Sequence, residues 1–238
     1  MSGRKVVNII KYCFKTKIPS SLNRSCYIGN TSSALSEIYQ EQVNISIWQR
    51  KLNSKIMLAA NNIIHNYPHL EISEVIKSTD VNEILGSKIE LNEDVLDLSK
   101  DISELVHIFF DLFDLKQAVF KLKILDYAMC PRFHVDRVPC RLITTYHGTA
   151  TEWLPQHLAD RSKLGEVSHG KLDEDTGIFK KYDDIEQLSA GHVGLLKGES
   201  WKGNEGAGLI HRSPKVEKNE QKRLMLTLDF ADDPYLKL

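Results

Sequence analysis

The sequence predicts an α+β chain, with a mainly helical first half and an antiparallel sandwich or barrel after it. Two observations predict this. Before about residue 115, apolar residues recur at three- and four-residue steps. From Ala118 onward they alternate in short runs parted by Gly, Pro and Asn, with no helices regularly between them. The expected division is residues 1–115 as a helical layer and 116–238 as the β core.

In chain order, Val43 to Trp48 alternates and suits an edge strand. Lys51 to His65 carries Leu52, Ile56, Leu58, Ala59, Ile63 and Ile64 as a helix that Pro68 stops. Asp94 to Asp114 is the clearest helix. Val95, Leu98, Ile102, Leu105, Val106, Phe109, Leu112 and Phe113 form one stripe, while Asp97, Lys100, Asp101 and Glu104 lie off it. That stripe is suited to cover one face of a sheet. Strands are expected over Val119 to Leu125, Arg141 to Tyr146, Val193 to Leu196, Gly208 to Ile210 and Arg223 to Phe230. Residues 160 to 190 are polar and rich in Gly and Asp, which suits a long insertion acting as a lid.

The 238 residues suffice for one domain with a real core. Apolar residues at 42% and charged residues at 26% are ordinary for a globular protein and argue against disorder. A net charge of −1 gives no sign of a nucleic-acid or anionic-membrane partner. No apolar run reaches bilayer-spanning length, and Asn8 and Lys11 interrupt the N-terminal apolar stretch before it makes a secretory signal. A cytoplasmic, reducing setting is expected. Cys13, Cys26, Cys130 and Cys140 form no Cys-x-x-Cys pair and are expected to be free thiols.

The residues that suggest chemistry are Phe133-His134-Val135-Asp136 and Leu209-Ile210-His211-Arg212-Ser213-Pro214. In an extended strand, residues two apart point to one face, so His134 and Asp136 can reach the same cation. His211 ends a short apolar run just before a Pro, as at the rim of a sheet. Two imidazoles and one carboxylate on one side of a metal leave open positions opposite. That geometry suits iron(II), O2 and a bidentate co-substrate. His65, His69, His107, His157 and His169 are expected to be ordinary surface or core histidines, and His147 and His192 are the rivals for the third ligand position.

The surroundings of these residues resemble the 2-oxoglutarate- and iron-dependent oxygenase superfamily over roughly residues 119 to 230. A strand leading to Tyr127 precedes His134 and Asp136. A second strand ending at Tyr146 leads through Gly148 into Thr151-Glu152-Trp153-Leu154-Pro155. Gly191 to Leu196 then precede His211, and Arg223 opens the last strand. More closely, the chain resembles an uncharacterised bacterial family, domain of unknown function 1826. The segments that carry this likeness are Cys130 to Asp136, Thr145 to Leu154, and His211 to Pro214 with Arg223.

The resemblance implies a double-stranded β-helix (jelly-roll) core, with His134, Asp136 and His211 as ligands of Fe(II) and 2-oxoglutarate as co-substrate. It implies decarboxylation of that acid to succinate, coupled to oxidation of a substrate the sequence does not identify. Arg223 is then the expected anchor of the far carboxylate, because a guanidinium fork matches a carboxylate. Arg141 and Arg212 are alternative anchors, and Arg212 could instead pair with an acid behind the ligands. Tyr127 and Tyr146 are candidate hydrogen-bond donors to the co-substrate, and Trp153 and Trp201 are mouth or core aromatics. Two departures bear on the co-substrate: Lys218 to Lys222 stand where a Gly usually precedes the Arg, and Thr151 occupies the second position of a Gly-Gly-Glu-like turn. The alternative function is a non-oxidative metal-binding protein of the same fold, for zinc or metal homeostasis. A third is an interaction module without metal.

Overall fold

The computed structural model describes residues 24–165, 171–215 and 222–231. Strands β1 (Ser25–Gly29) and β2 (Val43–Trp48) come first, then helix α1 (Ser54–Asn66) and β3 (Glu71–Ile76). Helices α2 (Val81–Gly86) and α3 (Glu93–Phe113) follow, then β4 (Ala118–Leu125) and β5 (Cys140–His147). The remainder is β6 (Glu152–Leu154), a single-turn α4 (Asp173–Thr176), β7 (Glu186–Gln187), β8 (Val193–Lys197), β9 (Ile210–Arg212) and β10 (Arg223–Phe230).

The strands form a seven-stranded sheet in the order β1-β2-β8-β5-β10-β4-β3 and a three-stranded sheet in the order β7-β6-β9. All pairings are antiparallel except β1 with β2. The chain is thus a mixed α/β structure with a large, mostly antiparallel sheet. The segment before residue 115 contributes β1, β2 and β3 to that sheet as well as its helices.

Alternation along β10 explains the layers. Leu224, Leu226 and Leu228 join the core shared with α1 and α3, where Ile56, Ala59, Ile63, Leu98, Ile102, Leu105 and Phe109 are buried. Met225 points the other way, into a second core with Ile45, Ile47, Ile143 and Leu196 of the large sheet and Trp153 of the small one. The large sheet therefore carries helices on one face and the small sheet on the other.

The helices start and stop for local reasons. The Asn53 side chain accepts the Ile56 N–H at 2.9 Å and caps α1. The helix ends at Asn66, ahead of Pro68. Helix α3 closes on Asp114, whose φ of 49° is left-handed, a conformation Asp tolerates better than most residues.

Two expectations differ in detail. Val43–Trp48 is not an edge strand, since β1 pairs along its outer side and five of its six residues are buried. The strand expected over Gly208 to Ile210 instead spans Ile210–Arg212, because the Gly208 N–H is taken by Glu199 Oε1 at 3.1 Å. His211 therefore sits mid-strand rather than at its end. Among the described residues, no helix is long and apolar enough to cross a membrane. Cys26, Cys130 and Cys140 are free thiols, while Cys13 and His169 lie outside the described residues.

Candidate metal centre

The site is built at the outer edge of the small sheet. His134 lies between β4 and β5 and forms an isolated antiparallel bridge with His211 of β9. Each backbone N–H donates to the other's carbonyl at 3.0 Å. Residues directly opposite on such a ladder share a face, so the two imidazoles meet with ring centroids 4.5 Å apart. The segment was expected to be a continuous strand; it is one bridge followed by irregular backbone, yet Asp136 still turns back to the same side. Its Oδ2 lies 3.3 Å from His211 Nε2, and its Oδ1 lies 3.8 Å from His134 Nε2. Ligand atoms from all three side chains fall within 4.8 Å of one another.

Three contacts hold this geometry. The Phe133 N–H donates to Asp173 Oδ2 at 2.7 Å, and the Phe133 ring lies 4.3 Å beneath the Arg212 guanidinium. The Asp136 carbonyl accepts the Glu199 N–H at 2.8 Å. Gly198 lets that backbone pass, because a Cβ there would overlap the Val138 carbonyl oxygen and stand 2.8 Å from the Asp136 carbonyl oxygen.

The ring nitrogens are sorted by their hydrogen bonds. His134 Nδ1 lies 2.9 Å from the Arg132 carbonyl, and His211 Nδ1 lies 3.1 Å from the Leu209 carbonyl. A carbonyl accepts only from an N–H, so each neutral ring carries its proton on Nδ1 and presents an Nε2 lone pair to the cluster. Burial lowers the His134 pKa, and the neighbouring His211 lowers it further, which favours that neutral form. Burial alone would raise the Asp136 pKa, but the Arg141 guanidinium and then His211 hold it well below the usual carboxylate range. Asp136 is thus an anion toward which both Nε2 atoms turn.

The other expected site residues divide. Arg141 is an ion-pair partner of Asp136 Oδ2 at 2.7 Å and forks onto Asp229 at 2.7 and 3.0 Å. Arg212 pairs with Glu152 at 2.7 Å and Asp173 at 3.1 Å. Both guanidinia, expected as alternative anchors, are engaged by acids here, and both also line the pocket described below; for Arg212, pairing with acids was the other role expected. Tyr146 is corrected. On β5, Arg141 and Ile143 point toward the cluster, so Tyr146 points to the helices, where its hydroxyl donates to Asp101 Oδ2 at 2.6 Å. Tyr127 stands exposed and is absent from the pocket wall.

Arg223 is 1% exposed, and its Nε and Nη1 have no hydrogen-bond partner among the described residues. Its Nη2 touches Met225 Sδ at 3.6 Å. Burial without an ion-pair partner pulls its pKa down to about 10. Gly148, at φ +83°, packs against it, and a Cβ there would stand 3.0 Å from Arg223 Cγ. A pocket of about 110 Å³ opens beside His134 and His211, walled by Lys121, Lys123, Met129, Cys130, Arg141, Ile143, Thr151, Arg212, Ser213, Met225 and Thr227. His147 and His192 are outside the three-residue cluster. Asp173, Asp229, Gly198 and Lys121 were not anticipated from the sequence; only the fold brings them to the site.

The fold is similar to that of a dioxygenase for auxin oxidation from rice. The TM-score is 0.52 at 9% identity, over 87% of this chain and 82% of that chain. Lower likenesses include a prolyl-4-hydroxylase from Pseudomonas putida, with TM-score 0.44, 10% identity and coverage of 84% and 97%. A 2-oxoglutarate complex of dioxygenase for auxin oxidation 1 from Arabidopsis thaliana gives TM-score 0.48, 7% identity and coverage of 90% and 95%. No curated protein matches the sequence. The model of DUF1826, a family described as protein of unknown function, matches residues 29–229, and the chain belongs to that family.

Proposed function

We propose that this chain is an iron(II)- and 2-oxoglutarate-dependent oxygenase of the hydroxylase type, with its two sheets arranged as a double-stranded β-helix. The observation that carries the reading is the His134–Asp136–His211 cluster, with two Nε2 lone pairs and one carboxylate converging beside an open pocket. Such a set offers three ligands on one side and suits iron(II) better than a closed structural zinc site, which takes four. The buried Arg223, with two nitrogens unpartnered among the described residues, fits the far carboxylate of a 2-oxoacid. A non-oxidative metal protein needs the same three ligands and gives that guanidinium no role.

His134, Asp136 and His211 would hold the metal, and Arg223 the acid. Bound iron(II) with 2-oxoglutarate and O2 supplies an oxidation in which the acid becomes succinate and CO2 and the substrate gains an oxygen atom. The chain's own residues do the rest. The Arg132 and Leu209 carbonyls hold each imidazole in its metal-binding tautomer. Arg141 keeps Asp136 ionised and in place. Ile143 and Met225 give the pocket an apolar lining, which limits water around a reactive site. The free Cys26, Cys130 and Cys140 suit the cytoplasm.

The test is succinate formation from 2-oxoglutarate by the iron(II)-loaded chain under air. We expect slow turnover without added substrate, lost in His134→Ala. An iron-loaded wild-type chain that neither binds nor consumes 2-oxoglutarate would contradict the proposal.

A further inference from the structure

We infer that the substrate is a small carboxylic acid, or another anion with an apolar body, whose charged group seats on Lys121. Calling it the substrate rests on the oxygenase reading above; the seat itself rests on the pocket wall.

Among the described residues, the wall contains four cationic side chains and no Asp or Glu. Three of the four are already neutralised. Lys123 pairs with Glu71, Arg141 with Asp136 and Asp229, and Arg212 with Glu152 and Asp173. Lys121 has no carboxylate within ion-pair distance among the described residues. It is partly buried on the inward face of β4, directly across from Thr227 of β10. An ammonium removed from water without a counter-charge is unfavourable, and an entering anion relieves that cost. Burial accordingly lowers the Lys121 pKa, with Asp229 the main opposing influence.

The surroundings specify the remainder of the ligand. Thr227 offers a hydroxyl beside the ammonium, while Ile143, Met129 and Met225 offer apolar contact. An inorganic anion would leave that apolar surface unused. Lys121 and Arg223 also divide the work. Arg223 is shut away, its guanidinium against the Met225 sulfur, which suits a co-substrate of fixed shape. Lys121 is reached from the open pocket, and its flexible point charge tolerates acids of varied geometry.

The test uses the full chain without metal or 2-oxoglutarate. 3-Phenylpropionate and its neutral amide, 3-phenylpropionamide, are each titrated calorimetrically. We expect the acid to bind at least about tenfold more tightly than the amide, as a charge-assisted contact should give. Lys121→Gln should abolish that preference and Lys121→Arg restore it. In the Mn(II)-loaded chain, Lys121→Gln should leave 2-oxoglutarate affinity within about twofold of wild type. Equal binding of acid and amide, or binding of neither, would overturn the inference. So would a preference that survives Lys121→Gln, or a 2-oxoglutarate affinity that falls with it. Failure of the oxygenase reading shows separately, as absent 2-oxoglutarate turnover with the acid–amide difference intact.

Discussion

Arg223 holds a buried charge without a balancing partner among the described residues, and stability and function pull in opposite directions there. Replacing it with methionine removes an uncompensated cation from the interior. Arg223→Met should therefore leave the ligand-free chain as stable as wild type, or more stable by about 1 kcal/mol, in a denaturant titration. The same change should weaken 2-oxoglutarate binding to the Mn(II)-loaded chain by more than about tenfold while metal content stays intact. A large loss of stability with unchanged affinity would mean that Arg223 is only structural. Single residues also mark how far sequence reading reaches. The cluster was legible because His134 and Asp136 lie two apart and His211 sits in an apolar strand. Tyr146 was misassigned because one step of strand parity turns it to the helices. Arg212 meets Asp173 across a separation of 39 residues, and no local pattern encodes such a pair.

Among the elements, β10 was the most legible. Its bounds match the expected Arg223 to Phe230, because seven of its eight residues are buried, on both faces of a central strand. Leu226 is fully buried against the helical layer, so Leu226→Ala should cost about 2–5 kcal/mol, measured by denaturant unfolding. A change below about 0.5 kcal/mol would deny that layer its role in the core. Strands β1, β3, β6 and β7 escaped notice. The last two have three and two residues, too few for alternation to register; β1 and β3 are edge strands, β1 largely exposed and β3 burying only Ile72 and Ile76 of its six residues. The turn after β8 makes a second element-scale prediction. Gly198→Ala should displace the Asp136–Val138 backbone and lower metal affinity by about tenfold or more, with less effect on the melting of the helical layer. Metal binding unchanged in that variant would show that the close approach at Gly198 does not position Asp136.

For the whole molecule, the two sheets and the helical layer form a scaffold that places one cluster at a pocket wall. The layer was legible because α3 keeps a continuous apolar stripe over 21 residues. The partition of strands between two sheets was not, since alternation gives a strand two faces but does not say which neighbour covers each. Everything functional in this account depends on His134, Asp136 and His211 acting together on one divalent ion. The direct measurement is the metal content of the anaerobically iron(II)-loaded chain after desalting, for wild type and single alanine variants. Wild type should retain close to one iron per chain. His134→Ala, Asp136→Ala and His211→Ala should each lose most of it, because two ligands hold a labile divalent ion poorly. His147→Ala and His192→Ala should retain it, since neither side chain belongs to the cluster. Full iron retention in His134→Ala, or loss in His192→Ala with retention in His211→Ala, would contradict the account.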